Sequence, residues 1–97
     1  MTERQLEQYM GKLLDKKKIF HFKGNPGGLK GYPDRLVFSD RIYFCEIKLG
    51  KEEGSYHKQT PMQKWWQNKI EQAGGNYILL VGKKEVESFV YSLQGKK

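Results

Sequence analysis

The stretch from Arg35 to Lys48 constrains the fold of this chain more than any other. Arg35 to Ser39 and Arg41 to Lys48 are rich in aromatic and branched residues and read as strands, with Ser39-Asp40-Arg41 as the turn between them, so the segment predicts a β-hairpin. Side chains along a strand alternate between faces with period two. Ile42, Phe44, Glu46 and Lys48 therefore share one face, and Tyr43, Cys45 and Ile47 share the other. Both faces are largely apolar, which describes a central strand covered on both sides. A chain of 97 residues has room for one domain and one modest core around such a strand, and self-association would add buried surface.

The flanking segments supply the covering layers. Thr2 followed by Gln5 has the form of a capping box, and Leu6, Met10, Leu13 and Leu14 continue it as an apolar stripe at helical spacing to about Lys18. Ile19 to Lys23 reads as a short strand, and Gly24 through Pro33 as a long glycine-rich loop able to approach a ligand closely. Leu49 to Gln59 is polar and reads as a second loop. Thr60-Pro61-Met62-Gln63 opens another helix, with Thr as N-cap, Pro at the first helical position and Gln at the capping-box position. That helix ends at Gly74-Gly75; Tyr77 to Val81 is a strand, and Glu85 to Leu93 a last amphipathic helix. The order predicts an α/β fold: one domain over residues 1–97, with a central mixed β-sheet flanked by helices.

Charge narrows the class of partner. The net charge is +7 and the pI is near 9.5. A solvated basic surface needs no partner, but lysines and arginines that neutralise phosphates gain from counterion release, which points to nucleic acid. Lys16-Lys17-Lys18, the longest basic run, also suits a helix C-terminus. No apolar run is long enough to span a bilayer, and the first residues lack a signal-peptide core, so a soluble, cytoplasmic protein without a membrane partner is expected. One cysteine, Cys45, excludes an intramolecular disulfide and suits a reducing compartment. One Cys and two His, His21 and His57, argue against a structural zinc site.

Glu46 and Lys48 stand side by side near the end of a strand that is otherwise dry, where burial of charge is costly. Alone they describe an ion pair at a sheet margin. Asp34 changes the reading, because it opens the neighbouring strand twelve residues before Glu46. In an antiparallel hairpin the start of one strand lies beside the end of the next, so Asp34 comes close to the pair. Two carboxylates and an ammonium beside a glycine-rich loop suit a hard divalent cation, which takes carboxylate oxygens and leaves coordination positions open for phosphate. Lys48 can then hold or help deprotonate an attacking water, or stabilise charge developing on the phosphate.

Gly31-Tyr32-Pro33-Asp34-Arg35 followed by Phe44-Cys45-Glu46-Ile47-Lys48 resembles the signature of the PD-(D/E)XK nucleases, in the spelling of the virus-type replication-repair nuclease (VRR-NUC) domain. The resemblance extends from the Gln5-Leu6-Glu7-Gln8-Tyr9-Met10 helix to Thr60-Pro61-Met62-Gln63 and the tryptophan-bearing helix after it. It implies a metal-dependent endonuclease using Mg²⁺, with Mn²⁺ as a substitute. Asp34, Glu46 and the Ile47 carbonyl would ligate the metal, and Lys48 would serve the nucleophilic water. A glutamate on the first helix would complete the site. Glu7 fits that motif position best, while Glu3, one turn earlier, flanks the same side of the stripe. Gln63 matches a glutamine near the family's active site, although the capping box explains it equally well. Lys51, Lys58 and Lys64 are candidate phosphate contacts or plain surface.

The resemblance further implies a homodimer, phage- or prophage-encoded and acting in DNA repair, that resolves four-way (Holliday) junctions. Two-fold symmetry would give it two sites for two nicks. Trp65 and Trp66 point about 100 degrees apart on their helix, so one can pack inward while the other meets a partner. Cleavage of flaps, forks or single strands remains an alternative, as does a basic DNA-binding module without catalysis.

Overall fold

The computed structural model describes residues 1–24, 28–54 and 58–93. Among the described residues, three α-helices and four strands run in the order α1 (Glu3–Lys16), β1 (Phe20–Lys23), β2 (Arg35–Phe38), β3 (Ile42–Lys48), α2 (Pro61–Gln72), β4 (Asn76–Val81) and α3 (Gly82–Ser92), with a 3-10 turn at Lys51–Glu53 before α2. The strands form one mixed sheet in the order β1-β2-β3-β4, antiparallel except for the β3–β4 pair. This is the mixed α/β domain expected from the element order, with β3 inside the sheet.

Local chemistry sets the element ends. The Thr2 hydroxyl accepts the Gln5 N–H at 3.1 Å and the Gln5 side chain accepts the Thr2 N–H at 2.9 Å, closing the first capping box. The second box, between Thr60 and Gln63, closes in the same way at 3.2 and 2.9 Å. At the end of α2 the Gly75 N–H returns to the Ile70 carbonyl and the Gly74 N–H to that of Glu71, the bonding of a Schellman cap. α1 stops two residues earlier than its sequence pattern suggests, because Lys18 adopts a left-handed φ of 57° and turns the chain into β1. α3 starts three residues earlier than expected, at Gly82, where φ is +86° and the Glu53 side chain lies against the glycine.

One sheet face is packed by α1 and α3. Leu6, Met10 and Leu14 of α1 meet Val37, Cys45, Ile47 and Leu80 of the sheet and Val86, Phe89 and Val90 of α3 in a single core. Full burial of each aliphatic side chain is worth about 1.5–3 kcal/mol. α2 lies against the opposite face near β4 and leaves the β1 end of that face open. There Phe20, Phe22 and Phe38 cluster ring to ring at 5.2–5.9 Å, and Phe20 is 63% exposed. Among the described residues no helix is long and apolar enough to cross a membrane.

Candidate functional site

The hairpin register brings the three strand-end residues together. Arg35 stands opposite Cys45, so Asp34 lies just before β2, level with Glu46 on β3. The Asp34 N–H donates to the Cys45 carbonyl at 2.9 Å, and its carboxylate Oδ2 accepts the Ile47 N–H at 2.8 Å. The aspartate thus takes over the sheet ladder where the regular backbone pairing of β2 begins. Two glycines allow this approach. A Cβ on Gly24 would sit 2.2 Å from the Pro33 carbonyl oxygen. Gly31, at a left-handed φ of +81°, would place a Cβ 2.8 Å from Met62 at the start of α2. The loop before Asp34 is therefore pressed between β1 and α2. Asn25, Pro26 and Gly27 of that loop, and His57 of the next, lie outside the described residues.

Glu46 is 1% exposed and Lys48 5% exposed. Gln63 Nε2 donates to Glu46 Oε2 at 2.9 Å, while Gln63 Oε1 accepts the Thr60 N–H. The two readings of Gln63 are therefore compatible, since one end of its amide caps the helix and the other holds the glutamate. The second carboxylate oxygen, Glu46 Oε1, is buried with no hydrogen-bond donor. Burial pushes the Glu46 pKa up to about 9, helped by the Asp34 charge and by the closeness of the two carboxyl groups, which can share a proton. Lys48 pulls it back down, and the Glu3 carboxylate adds to the rise. An acid held in this way wants a positive charge that the surrounding side chains do not fully supply.

The two candidate glutamates of α1 have different surroundings. Glu7 is buried against Arg35, whose NH2 is 3.1 Å from Glu7 Oε1, and Lys23 Nζ stands 4.0 Å away. Arg35 NH1 also donates to His21 Nδ1 at 2.8 Å, and His21 Nε2 donates to Asp15 at 2.6 Å. Glu3 is the helix carboxylate whose field reaches Glu46. Lys51, Lys58 and Lys64 are exposed, and the ion pairs among the described residues engage none of them.

A polar wall beside the carboxylates was not legible in the sequence. Gln59 Nε2 donates to the Tyr77 hydroxyl and to Gln67 Oε1, each at 3.0 Å. Burial raises the Tyr77 pKa, and the Glu46 charge raises it further. Tyr77 reads as one member of an apolar strand run and Gln59 as a loop residue. Only the pairing of Tyr77 with Phe44, two residues before Glu46, puts the phenol near the site. Arg35, the partner of Glu7, likewise reads only as the first residue of a strand.

Two carboxylates and an ammonium can hold a proton or a hard cation here. Among the described residues no three His, Cys, Asp or Glu side chains form a metal-binding group. A cation would have to complete its shell with backbone carbonyl and water, as magnesium commonly does.

The fold is shared with solved VRR_NUC structures. A chain described as a VRR_NUC domain superposes with a TM-score of 0.70 at 23% identity, covering 94% of this chain and 97% of that one. A VRR_NUC domain protein superposes with a TM-score of 0.69 at 21% identity, covering 96% of this chain and 88% of that one. No family model matches the sequence, and no curated protein matches it. The architecture is thus that of the VRR_NUC fold, over nearly the whole chain.

Proposed function

We propose that this protein is a metal-dependent DNA endonuclease of the PD-(D/E)XK type, with its active site at Asp34, Glu46 and Lys48. The observation that carries the reading is the buried Glu46 oxygen without a donor, facing a second carboxylate. A fold stabilised for its own sake would pair that oxygen or replace the acid. A divalent cation satisfies it directly. Asp34, Glu46 and the Ile47 carbonyl would hold Mg²⁺ or Mn²⁺, with Glu3 favoured over Glu7 as the helix carboxylate because Glu7 is committed to Arg35. When bound, the cation supplies charge for the phosphate and acidity for a water.

The protein's own groups do the remaining work. Gln63 and the Ile47 N–H fix the two carboxylates so that they need not reorganise. Lys48, held almost out of solvent beside Glu46, places an ammonium where it can orient a water or meet charge on a phosphate oxygen. The net charge of +7 attracts the polyanion, with Lys51, Lys58 and Lys64 as solvated contacts for its backbone.

Within this reading the substrate is branched DNA, a four-way junction cut by a homodimer, in the course of repair in a bacterial cytoplasm. The open aromatic face at Phe20 and Phe22 of edge strand β1 and Phe38 of β2 supports the dimer. A second copy of the chain would cover those rings and pair the free edge of the sheet. Sedimentation of wild type against the double substitution F20S/F22S tests it, with dissociation expected.

The lack of a third carboxylate in the described cluster favours a second reading, a basic DNA-binding module whose acids only close the hairpin end. Labelled four-way junction, flap, single strand and linear duplex, incubated with Mg²⁺, Mn²⁺ or chelator, separate the two. Metal-dependent cleavage, lowered about 10³-fold by D34N or E46Q and about 10–100-fold by E3Q, is expected. No cleavage of any DNA with either metal sinks the nuclease.

A further inference from the structure

The outer side of α2 carries an aromatic surface that neither the core nor the carboxylate site uses. Trp65 is 48% exposed. Its ring meets that of Trp66 at right angles, 5.2 Å between centroids. Trp66 is itself immobilised: its Nε1 donates to the Lys30 carbonyl at 3.0 Å, and Tyr32 packs edge-on at 4.9 Å. Lys69 Nζ stands 5.6 Å from the centre of the Trp65 ring. The same lysine rims an open, apolar cleft of about 320 Å³ between α2 and the sheet, walled by Phe44, Trp66, Ile70, Ala73 and Gly75. Lys30, Lys64 and Lys69 are exposed, and none takes part in an ion pair among the described residues.

An indole braced from behind, with the Lys69 ammonium over it and further exposed lysines on the neighbouring segments, has two complementary surfaces. The ring offers a flat π-face to another flat ring, and the lysines offer charge to the phosphates on either side of it. A nucleobase in B-form duplex has both faces stacked on its neighbours and cannot use such a ring. An unpaired base can. The surface lies on the same helix as Gln63, which holds Glu46, but on nearly the opposite side, because residues two apart on a helix point about 200 degrees apart.

We propose that Trp65, with Lys69 over its ring, is a stacking site for an unpaired nucleotide, which biases this protein toward DNA having single-stranded character. The inference rests on nucleic acid being the ligand of the basic surface, and it deepens the proposed function by naming the structural feature of the substrate. Charge complementarity decides the occupant. A second copy of this chain would bring its own basic surface against Lys30, Lys64 and Lys69, whereas a polynucleotide brings phosphates.

The test is binding without cleavage. In the D34N background and in chelator, titrate fluorescently labelled (dT)12 and a blunt 12-base-pair duplex against Trp65 protein, W65A and W65F, following anisotropy and indole emission. Expected are quenching of Trp65 by (dT)12, about tenfold weaker (dT)12 binding by W65A, near-wild-type binding by W65F, and less than a twofold change on duplex. Equal losses on both DNAs, or no loss on (dT)12, overturn the proposal. Conversion of a dimer to a monomer by W65A in sedimentation also overturns it, assigning the ring to a contact between copies. Thermal melting of W65A guards against a folding defect, which W65F avoids. If the unsubstituted protein cuts no DNA while (dT)12 binding still depends on Trp65, the nuclease reading fails and the stacking site stands. If it cuts and W65A binds normally, the reverse holds.

Discussion

Glu7 and Glu46 are both buried glutamates, one on a helix and one on a strand, and the protein treats them in opposite ways. Glu7 faces a guanidinium at 3.1 Å and a more distant ammonium, and its partner Arg35 continues through His21 to Asp15 at the surface. Because Arg only donates, His21 Nδ1 must accept and its Nε2 must carry the proton toward Asp15. The run sets Glu7 against opposite charge and ends at the exposed Asp15, although Arg35 Nε is buried without a hydrogen-bond partner. Glu46 faces an amide and a second carboxylate, leaves one oxygen without a donor, and has only Lys48 to offset the accumulated charge. A balanced buried cluster holds a fold together; an unbalanced one is kept in spite of its cost. Under the proposed function, the imbalance at Glu46 is what a cation from outside would relieve.

The sharpest way to break the comparison is to neutralise both acids in turn. E46Q and D34N should lower metal-dependent cleavage about 10³-fold, corresponding to about 4 kcal/mol of transition-state stabilisation. E7Q should stay within about tenfold of wild type in single-turnover rate. Similar losses for E7Q and E46Q would erase the distinction.

Stability should move the other way. E7Q leaves Arg35 buried without its counter-charge and should cost about 3 kcal/mol in urea unfolding. E46Q, in chelator near neutral pH, should unfold at the same or higher denaturant than wild type, because it removes an acid that must take up a proton to be buried. Mg²⁺ or Mn²⁺ should then stabilise wild type by about 2.7 kcal/mol at one hundred times the dissociation constant, and E46Q much less. A thermal shift that is equal in the two proteins would place the cation elsewhere.

The smallest effect, taken per pH unit, is the pH dependence of stability. The Glu46 pKa is raised from an ordinary 4.5 to about 9 in the folded chain. The folded state therefore prefers the protonated acid. That contribution to stability is complete below pH 4.5 and is lost as pH rises toward 9. Metal-free wild type should lose stability relative to E46Q across this window, by up to about 1.4 kcal/mol per pH unit. A difference that stays flat with pH would contradict the burial of an uncompensated acid.

How much of this was legible beforehand follows the range of the interactions concerned. Capping boxes at Thr2 and Thr60 are contacts between residues three apart, and both closed as read. The hairpin is nearly as local. Strand alternation and a short turn were enough to expect Asp34 beside Glu46, and the register agrees. Gln63 was ambiguous between helix cap and neighbour of Glu46, and its amide makes both contacts because it has two ends.

Between Glu3 and Glu7 the sequence favours Glu7 by motif position, whereas the proposed function favours Glu3. Both sit on the same side of α1, one turn apart, and only the position of Arg35 across the sheet shows which is already paired. Tyr77 and Gln59 were hidden for the same reason, since the parallel β3–β4 pairing and the loop before α2 bring together residues 18 apart that no local pattern connects. The sequence by itself determined the elements, their caps, the covered central strand and the strand-end trio, because these depend on backbone periodicity and neighbours in the chain. The tertiary structure alone decided which buried acid is balanced, which tryptophan is braced and which is open, and which sheet face stays uncovered. Those depend on what arrives from distant segments, and the sign and completeness of that surrounding shell is what separates a structural charge from a functional one.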